Sequence, residues 1–378
     1  MICAEKEPEV DMLNTSAPYA EILGLESFLE TGTLPSACLV RGKTQTTTRT
    51  LVIRLGAYGD CIITTPLLRH LKSNGNEVYM ITSAQGMEIL KGNPNIDKFI
   101  YYPKDSIPNN KLGDFFEAVR KAYECDEAID LCESLEWALA LHPKDPVYNY
   151  PRLDREKRCN KNYYEHTFDF AKRNRNGVDM GGELFFTEEE EKKVKGILAP
   201  YKDKFVVLWG LSGSGRNKTY PFAPYVMADL IKRYPRMVII TVGDLGCEIL
   251  EVGMNNKNVI GMSGKTSFRE SALMTKYVDL LVSPDTGLLH ASGCYETPKI
   301  GLFGHSTIEN ISKHFKNDHS IEAKCSCAPC FRLIYHAPVQ CPIDPISSGC
   351  WCMTEGLPPK RVYDHIRGVM DKIYYGSK

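Results

Sequence analysis

The chain has 378 residues, enough for two domains of ordinary size, and 43% hydrophobic with 25% charged residues is typical of soluble globular proteins. Its 46 Lys and Arg against 47 Asp and Glu give a formal charge of −1, which argues against a protein built mainly to coat nucleic acid or an anionic membrane. The acidic N-terminus is unlike a secretory signal, and no apolar run reaches the roughly 20 residues of a membrane-spanning helix. We therefore expect a cytoplasmic protein, and the sequence leaves peripheral membrane contact and oligomeric state open.

The chain is predicted to contain two domains with a terminal segment on either side. Residues 1–50 form an N-terminal extension and linker, within which 18–29 is predicted to be a short amphipathic helix. Strands and helices then alternate over 51–190 and again over 191–358, and an amphipathic helix closes the chain in 359–378. This alternation is typical of an α/β fold with two Rossmann-like, doubly wound parallel sheets.

Ligands of open α/β sheets bind beyond the carboxyl ends of the strands, so the loops at those ends are the candidates for function. Residues 142–160, rich in Pro and charge, are predicted to form a long loop on the ligand side. The first short candidate is Arg54–Asp60, RLGAYGD, between a strand and a helix. Asp60 there is interpreted either as a helix cap or as a general base.

The second candidate loop is Gly210–Lys218, GLSGSGRNK, which follows another buried strand. Its glycines, hydroxyls and cations suit a diphosphate, although it lacks the Walker A pattern because Asn217 precedes the lysine. A third loop, VIGMSGKT over Val259–Thr266, is a near miss to the P-loop, with Val259 where the first glycine should stand. We interpret it as a cap for the following helix that also contacts a nucleotide.

The run Val278–Ser306 predicts strand, tight turn, helix and strand, with Asp285-Thr286-Gly287 at the first turn. A helix N-terminus offers unpaired amides and a positive dipole end to an anion. Asp285 would instead hold hydroxyls, which points to a phosphorylated and polyhydroxylated ligand such as a nucleotide sugar. The competing interpretation is an ordinary turn with Asp285 as helix cap, and His290 is either a ligand contact or a structural residue.

Four sequence features in this order carry a family resemblance. They are RLGAYGD followed by a helix with Thr64-Thr65-Pro66, Lys218 before an aromatic-Pro pair, SPDTGLLHASG followed by TPKIGLFGHS, and a Cys-Ala-Pro-Cys block. From about Leu51 to Tyr374 the chain resembles glycosyltransferase family 9, the ADP-heptose-using heptosyltransferases of lipopolysaccharide inner-core assembly. Tyr220-Pro221 departs from the more usual Trp-Pro, and the N-terminal extension is unusual.

The resemblance implies a GT-B fold with two domains facing a central cleft, the acceptor in the N-terminal half and the donor in the C-terminal half. It also implies inverting transfer without a catalytic metal. By position, Asp60 matches the general base, Lys218 the lysine that neutralises the donor diphosphate, and Asp285 the residue that holds sugar hydroxyls. The residues predicted to bind the donor are Gly56, Gly59, Ser212, Gly213, Ser214, Lys218, Gly243, Asp285, Thr286, Gly287, Leu288 and His290.

Six of the 14 cysteines fall between Cys325 and Cys352, on short loops rich in Pro and Gly. In a chain without an export signal, such a block predicts a metal site, with free thiols and disulfides as the alternatives. Four thiolates suit structural zinc or iron. The predicted ligands are Cys327, Cys330, Cys341 and Cys352, with Cys325 and Cys350 as alternates, and the resemblance adds iron-bearing members of the family.

The sequence therefore predicts an enzyme that moves a sugar, ADP-heptose being the expected donor, to a hydroxyl of a glycan, a protein or another acceptor. One rival is a sugar-nucleotide epimerase or hydrolase of the same fold, which needs no macromolecular acceptor. The other is an enzyme or binding module that acts on nucleic acid, which the basic stretch Arg152–Arg158 keeps open.

Overall fold

The computed structural model describes residues 19–21, 28–29, 32, 34, 47–103, 106–140, 144, 146–254, 256–333, 341–344 and 350–376. The chain divides into two compact units. The first comprises Met1–Leu135 and Tyr164–Phe186, and the second comprises Glu136–Tyr163 and Thr187–Lys378.

The first unit contains a five-stranded parallel sheet in the order β1-β4-β3-β2-β5. Its strands are Tyr19–Glu21 (β1), Arg49–Arg54 (β2), Glu77–Thr82 (β3), Lys98–Tyr101 (β4) and Glu127–Asp130 (β5). All six residues of β2 are buried, as expected for a central strand covered by helices on both faces. The strand order reverses between β2 and β5, so a ligand is expected at their carboxyl ends.

The helices of the first unit follow its strands in alternation. The first of them, Tyr58–Ser73, connects β2 to β3 and buries ten of its residues. The helices of this unit are Tyr58–Ser73, Ala84–Leu90, Leu112–Ala122 and Tyr163–Phe170, the last starting at the boundary with the second unit, and a 3₁₀ turn spans Asn109–Lys111.

The second unit contains a six-stranded parallel sheet in the order β11-β10-β9-β6-β7-β8. Its strands are Phe205–Gly210 (β6), Met237–Val242 (β7), Val259–Gly261 (β8), Leu280–Pro284 (β9), Lys299–Phe303 (β10) and Ile321–Glu322 (β11). Numbered from β6, this is the 3-2-1-4-5-6 order of a Rossmann sheet, whose ligands bind where the order reverses. That point lies between β6 and β9, which pair directly.

The helices of the second unit cover this sheet, and the last of them closes the chain against the helix that follows β6. Its buried face includes Val362, Ile366 and Met370, and Asp371 accepts a hydrogen bond from the Tyr234 hydroxyl at 2.6 Å. The helices are Arg152–Cys159, Glu188–Leu198, Ala223–Arg233, Glu248–Val252, Phe268–Met274, Gly287–Gly293, Ile308–Ile311, Trp351–Thr354 and Pro359–Gly376.

The predicted α/β class with parallel sheets is confirmed, and two local predictions are wrong. Within 18–29, where a helix was expected, Tyr19–Glu21 form an edge strand parallel to β4, whereas Phe28 and Leu29 are helical; residues 18 and 22–27 lie outside the described residues. Within 142–160, where a loop was expected, Arg152–Cys159 form a helix. Arg155 is buried on the inner face of this helix. Because a charged residue occupies a position that is usually apolar, the sequence lacks the hydrophobic spacing that predicts a helix.

In the part of the chain that the structure describes, no helix has both the length and the apolar character needed to span a membrane.

Candidate active site

Asp60 lies in the first turn of helix Tyr58–Ser73, just beyond β2. The amide of Ala57 donates to Asp60 Oδ2 at 2.9 Å, and Nη2 of Arg54 lies 3.1 Å from the same oxygen. Gly56 leaves room for this carboxylate, because a Cβ at residue 56 would lie 2.2 Å from Oδ2. Among the described residues no contact involves Asp60 Oδ1, so this oxygen is available to accept a proton.

Arg54 holds the Asp60 carboxylate from the interior of the first unit. The Arg54 side chain is 1% exposed and that of Asp60 is 29% exposed. Nη1 of Arg54 also donates to the carbonyl of Leu131, just after β5. Asp60 is therefore fixed where the strand order reverses, and it caps its helix from the first turn rather than from the N-cap position.

Lys218 and Asp285 form an ion pair in the second unit, with Lys218 Nζ 3.1 Å from Asp285 Oδ2. The two residues follow β6 and β9, the strands between which the order of this sheet reverses. Both side chains are largely buried, at 16% and 4% exposure. The structure thus brings together the two residues that the sequence predicted for the donor diphosphate and sugar.

Two imidazoles face the same carboxylate. His290 Nε2 lies 3.5 Å from Asp285 Oδ1, and His305 Nε2 lies 3.4 Å from Asp285 Oδ2. Burial alone would raise the pKa of Asp285, but the Lys218 ammonium and the two imidazoles hold that pKa well below its ordinary value. Asp285 is therefore a carboxylate at neutral pH.

His305 was missed as a site residue by the sequence argument. It follows β10, which pairs with β9 so that Leu302 lies beside Pro284. Adjacent parallel strands place the residues after them at one edge of the sheet, and this would have placed His305 beside Asp285 had the strand order been known.

The turn after Asp285 exposes backbone donors. Thr286 caps helix Gly287–Gly293, its Oγ1 accepting from the amide of Leu289 at 3.4 Å. The amides of Thr286, Gly287 and Leu288 have no hydrogen-bond acceptor within the described parts of the chain. The turn therefore combines a capped helix with three unused N–H groups beside Lys218.

The loop after β6 packs closely on this turn. A Cβ at Gly213 would lie 2.9 Å from Thr286 Cγ2 and 3.1 Å from Lys218 Cβ, so glycine allows the loop to approach. Ser212 Oγ lies 2.9 Å from Cys247 Sγ. A Cβ at Gly243 would meet the same thiol at 2.5 Å, so the loops after β6 and β7 also adjoin.

Ser214, Gly56 and Gly59 were also predicted to bind the donor. Ser214 is exposed, and no hydrogen bond of its side chain occurs among the described residues. Gly56 and Gly59 belong to the first unit together with Asp60, and Gly56 serves the carboxylate of that residue.

The polar side chains of the near-miss P-loop, Val259–Thr266, form hydrogen bonds with neighbouring groups of the protein. Lys265 Nζ donates to the carbonyl of Gly261 at 2.7 Å, and Ser263 Oγ donates to Glu251 Oε1 at 2.6 Å. Ser267 is the N-cap of helix Phe268–Met274, which confirms the capping interpretation of this segment.

The six clustered cysteines are close to one another in pairs. The Sγ atoms of Cys325 and Cys327 are 3.5 Å apart, as are those of Cys350 and Cys352. Cys352 also hydrogen-bonds Cys330, and Cys350 hydrogen-bonds Cys341. All twelve cysteines within the described ranges are free thiols.

Hydrogen bonds within the block lower the pKa values of two of these thiols. The hydrogen bond from Cys350 lowers the pKa of Cys341 to about 5, and that from Cys352 lowers the pKa of Cys330. Soft, partly ionised sulfurs fit zinc or iron as a donor set. Within the described ranges, however, no three His, Cys, Asp or Glu side chains converge in a metal-binding arrangement, so the predicted metal loop is not confirmed.

The segment after Cys330 joins the cysteine block to the Lys218–Asp285 pair. The amide of Phe331 donates to the carbonyl of His305 at 2.7 Å, and Nδ2 of Asn217 donates to the carbonyl of Arg332 at 2.7 Å. A Cβ at Gly304 would lie 2.8 Å from Cys352 Sγ. Asn217 and Gly304, which precede Lys218 and His305, therefore both contact the cysteine block, residues 325–352.

The basic stretch Arg152–Arg158 gives no support to the nucleic-acid hypothesis. Arg155 is buried and donates from Nε to the carbonyl of Cys330 at 2.8 Å. Arg152 pairs with Glu156 at 2.7 Å on the same helix.

Comparison with known proteins agrees with this arrangement. Residues 162–336 match the profile described as Glycosyltransferase family 9 (heptosyltransferase). A curated relative, lipopolysaccharide heptosyltransferase 1 of Campylobacter coli, is 24% identical in an alignment of 292 residues that covers 67% of this chain and 83% of the relative.

Two solved structures show the same fold. The glycosyl transferase family 9 protein from Veillonella parvula DSM 2008 has a TM-score of 0.60 at 17% identity, over 86% of this chain and 97% of its own. The iron-containing heptosyltransferase TibC of enterotoxigenic E. coli, solved with ADP-D-beta-D-heptose, has a TM-score of 0.54 at 11% identity, over 89% and 78%.

Fold, site and family match together define a glycosyltransferase that uses a nucleotide sugar. Residues 162–336 match the model of glycosyltransferase family 9, the family that the sequence motifs resemble.

Proposed function

We propose that this enzyme transfers a heptose from ADP-heptose to a hydroxyl acceptor with inversion at the anomeric carbon. The observation that supports this most is the ion pair between Lys218 and the buried Asp285 at the reversal point of a Rossmann sheet. The sugar and the base are proposed from the Campylobacter coli relative, which is named a heptosyltransferase, and from TibC, which was solved with ADP-D-beta-D-heptose.

The second unit is proposed to hold the donor. The Lys218 ammonium and the unused amides of Thr286, Gly287 and Leu288 would bind the diphosphate. These groups stabilise the charge that develops as the nucleoside diphosphate leaves, and they are worth most in a water-poor site. The Asp285 carboxylate, ionised and buried, is suited to accept hydrogen bonds from sugar hydroxyls.

The first unit is proposed to hold the acceptor, with Asp60 as the general base. As the acceptor hydroxyl attacks the anomeric carbon, its proton passes to Asp60 Oδ1, while Oδ2 stays bound to Arg54 and the Ala57 amide. The glycosidic bond forms and the bond to the diphosphate breaks, which inverts the carbon. The acceptor is a glycan, a protein or another hydroxyl compound.

The donor assignment is tested by titrating the protein with ADP, UDP and GDP. We expect ADP to bind most tightly. Lys218→Met should weaken ADP binding about ten- to a hundredfold, because a charge-assisted contact is lost. The exposed Lys202→Met serves as control. Tighter binding of UDP or GDP would overturn the assignment of the base, and consumption of ADP-heptose without an acceptor would favour the epimerase or hydrolase.

We also propose that Cys327, Cys330, Cys341 and Cys352 hold a structural zinc or iron. The support is the hydrogen bond of Cys330 with Cys352 and the lowered pKa values of Cys330 and Cys341. The pKa of Cys327 is raised by burial, by its hydrogen bond with Cys325 and by the nearby Cys330 and Cys341. The iron of TibC makes iron a specific candidate. When bound, the metal would tie together the loops before the closing helix.

Elemental analysis of the purified protein tests the metal site. We expect about one zinc or iron per chain, lost in Cys330→Ser and Cys352→Ser together with a lower unfolding temperature. Cys294→Ser, outside the block, should keep the metal. A metal-free wild-type protein purified without chelators would contradict the proposal.

A further inference from the structure

His305 is a buried histidine that faces the Asp285 carboxylate. It is 1% exposed, and within the described residues its Nδ1 has no hydrogen-bond partner. Its nearest charged group is Asp285, whose Oδ2 lies 3.4 Å from Nε2. Buried polar atoms are almost always hydrogen-bonded, so a buried imidazole with an unused nitrogen beside a ligand site requires an explanation.

The charged groups next to His305 already neutralise each other when the imidazole is uncharged. Asp285 and Lys218 form a neutral pair that shares Oδ2 with His305, and His290 faces the other oxygen of the same carboxylate. Burial lowers the pKa of His305 below its ordinary value. The Asp285 carboxylate raises this pKa and the Lys218 ammonium lowers it further, and the lowering prevails. The imidazole is therefore neutral at neutral pH when Lys218 pairs with Asp285.

Binding of a diphosphate would change this balance. A lysine ammonium is a point charge on a flexible stem, and phosphate oxygens compete with Asp285 for Lys218. A buried carboxylate that loses its only cation is strongly destabilised. The incoming phosphate adds negative charge, which favours the protonated form of a nearby imidazole.

We propose that His305 takes up a proton from the solvent when the donor diphosphate binds, and so replaces Lys218 as the cation beside Asp285. This inference rests on the proposed function, in that Lys218 binds the diphosphate. His305 is assigned rather than His290 because it contacts the oxygen that Lys218 leaves. His305 is thus a positioning residue, which keeps Asp285 in place for the sugar while Lys218 serves the leaving group.

Among the described residues, the other groups packed near His305 provide no second cation for Asp285 Oδ2. From the segment after Cys330, the Phe331 amide donates to the His305 carbonyl. The Arg332 guanidinium lies 4.8 Å from the centre of the Tyr148 ring, and its Nε donates to the Tyr148 carbonyl at 2.9 Å.

Calorimetry of ADP binding to the full-length protein tests the proposal. At pH 7.5, titrations in PIPES, HEPES and Tris give the number of protons exchanged from the dependence of the binding enthalpy on the ionisation enthalpy of the buffer. We expect an uptake close to one proton in the wild type and close to zero in His305→Gln. The distant His70→Gln should keep the uptake.

A second measurement covers the case in which His305→Gln folds poorly. In the wild type, ADP affinity should fall by up to about tenfold per pH unit as the pH rises through the pKa of the bound state. In His305→Asn and His305→Gln the ADP affinity should vary much less with pH. Protonation of ADP itself contributes equally in all three proteins, so it cancels when the pH profiles are compared.

The outcomes separate this inference from the function on which it rests. Tight ADP binding with no proton uptake, or with equal uptake in His305→Gln, overturns the role of His305 and leaves the donor site intact. If UDP or GDP binds instead of ADP, the same titration is made with that nucleotide. If none of the three binds, the proposed donor site is wrong, and the inference falls with it.

Discussion

At the scale of the residue, Gly213 decides how closely two loops of the donor site approach. Gly213→Ala would place a Cβ 2.9 Å from Thr286 Cγ2 and 3.1 Å from Lys218 Cβ, so one of these residues must move. We expect ADP affinity to fall about tenfold, or about 1.4 kcal/mol, with little change in unfolding temperature. The matched control is Gly196→Ala, where the added methyl meets nothing within 4 Å. Equal ADP affinity in both variants would contradict this account.

Arg54 gives a second prediction at the same scale. Arg54→Met removes the cation that fixes Asp60 Oδ2 and leaves the Leu131 carbonyl without this donor. We expect the transfer rate to fall while ADP affinity stays within about twofold, because Arg54 lies in the first unit and the proposed diphosphate site in the second. Single-turnover rates and calorimetry on the same preparation check this. A variant with normal transfer would show that Asp60 needs no such support.

The sequence predicted some of these residues and missed others for a physical reason. Asp60, Lys218 and Asp285 each lie in a segment that follows a recognisable buried strand. Each residue could therefore be identified from the sequence around it alone. Arg54 and His305 lie within the motifs RLGAYGD and TPKIGLFGHS, but neither motif indicates what these two side chains contact. Their importance comes from the order of strands in each sheet, which places β5 beside β2 and β10 beside β9.

At the scale of the element, the cysteine block supports the donor loops. Gly304 precedes His305, and a Cβ there would lie 2.5 Å from Met353 Sδ and 2.8 Å from Cys352 Sγ. Gly304→Ala should therefore weaken both ADP binding and the thermal stability of the second unit. Gly368→Ala in the closing helix, where the methyl meets nothing within 4 Å, is the control. Unchanged ADP affinity in Gly304→Ala would show that the block and the donor site are independent.

The elements that the sequence failed to predict are those whose stability comes from tertiary contacts. Strand β1 has three residues and exists through its pairing with β4. Helix Arg152–Cys159 turns a buried arginine inward, where Arg155 donates to the Cys330 carbonyl. The spacing of hydrophobic residues along the chain therefore predicts neither strand β1 nor helix Arg152–Cys159. The same spacing does predict the long buried strands of both sheets.

At the scale of the whole molecule, a buried lysine links stability to pH. Lys299, within β10, is 0% exposed and donates to the carbonyls of Tyr295 and Lys316 at 3.0 and 2.6 Å. Burial lowers its pKa from 10.5 to about 8. Between these values the unfolded chain binds more protons than the folded one, so this residue makes the free energy of unfolding rise with pH.

Comparison with Lys299→Met isolates this effect. From pH 8 to pH 10.5 the wild type should gain up to about 3 kcal/mol of stability relative to the variant, since one pKa unit corresponds to about 1.4 kcal/mol. Urea unfolding at several pH values measures the difference, in which the cysteines and tyrosines common to both proteins cancel. A constant difference across this range would mean that the Lys299 ammonium stays charged in the fold.

The division of labour between the two units is the central claim, and Asp60 tests it most directly. The measurement is transfer of labelled heptose from ADP-heptose into a cell extract that supplies the acceptor, with ADP affinity measured in parallel. Asp60→Asn should lower the transfer rate at least about a hundredfold and leave ADP affinity within about twofold, while Asp130→Asn, on the neighbouring strand, should keep both. Transfer at a normal rate by Asp60→Asn would contradict the account.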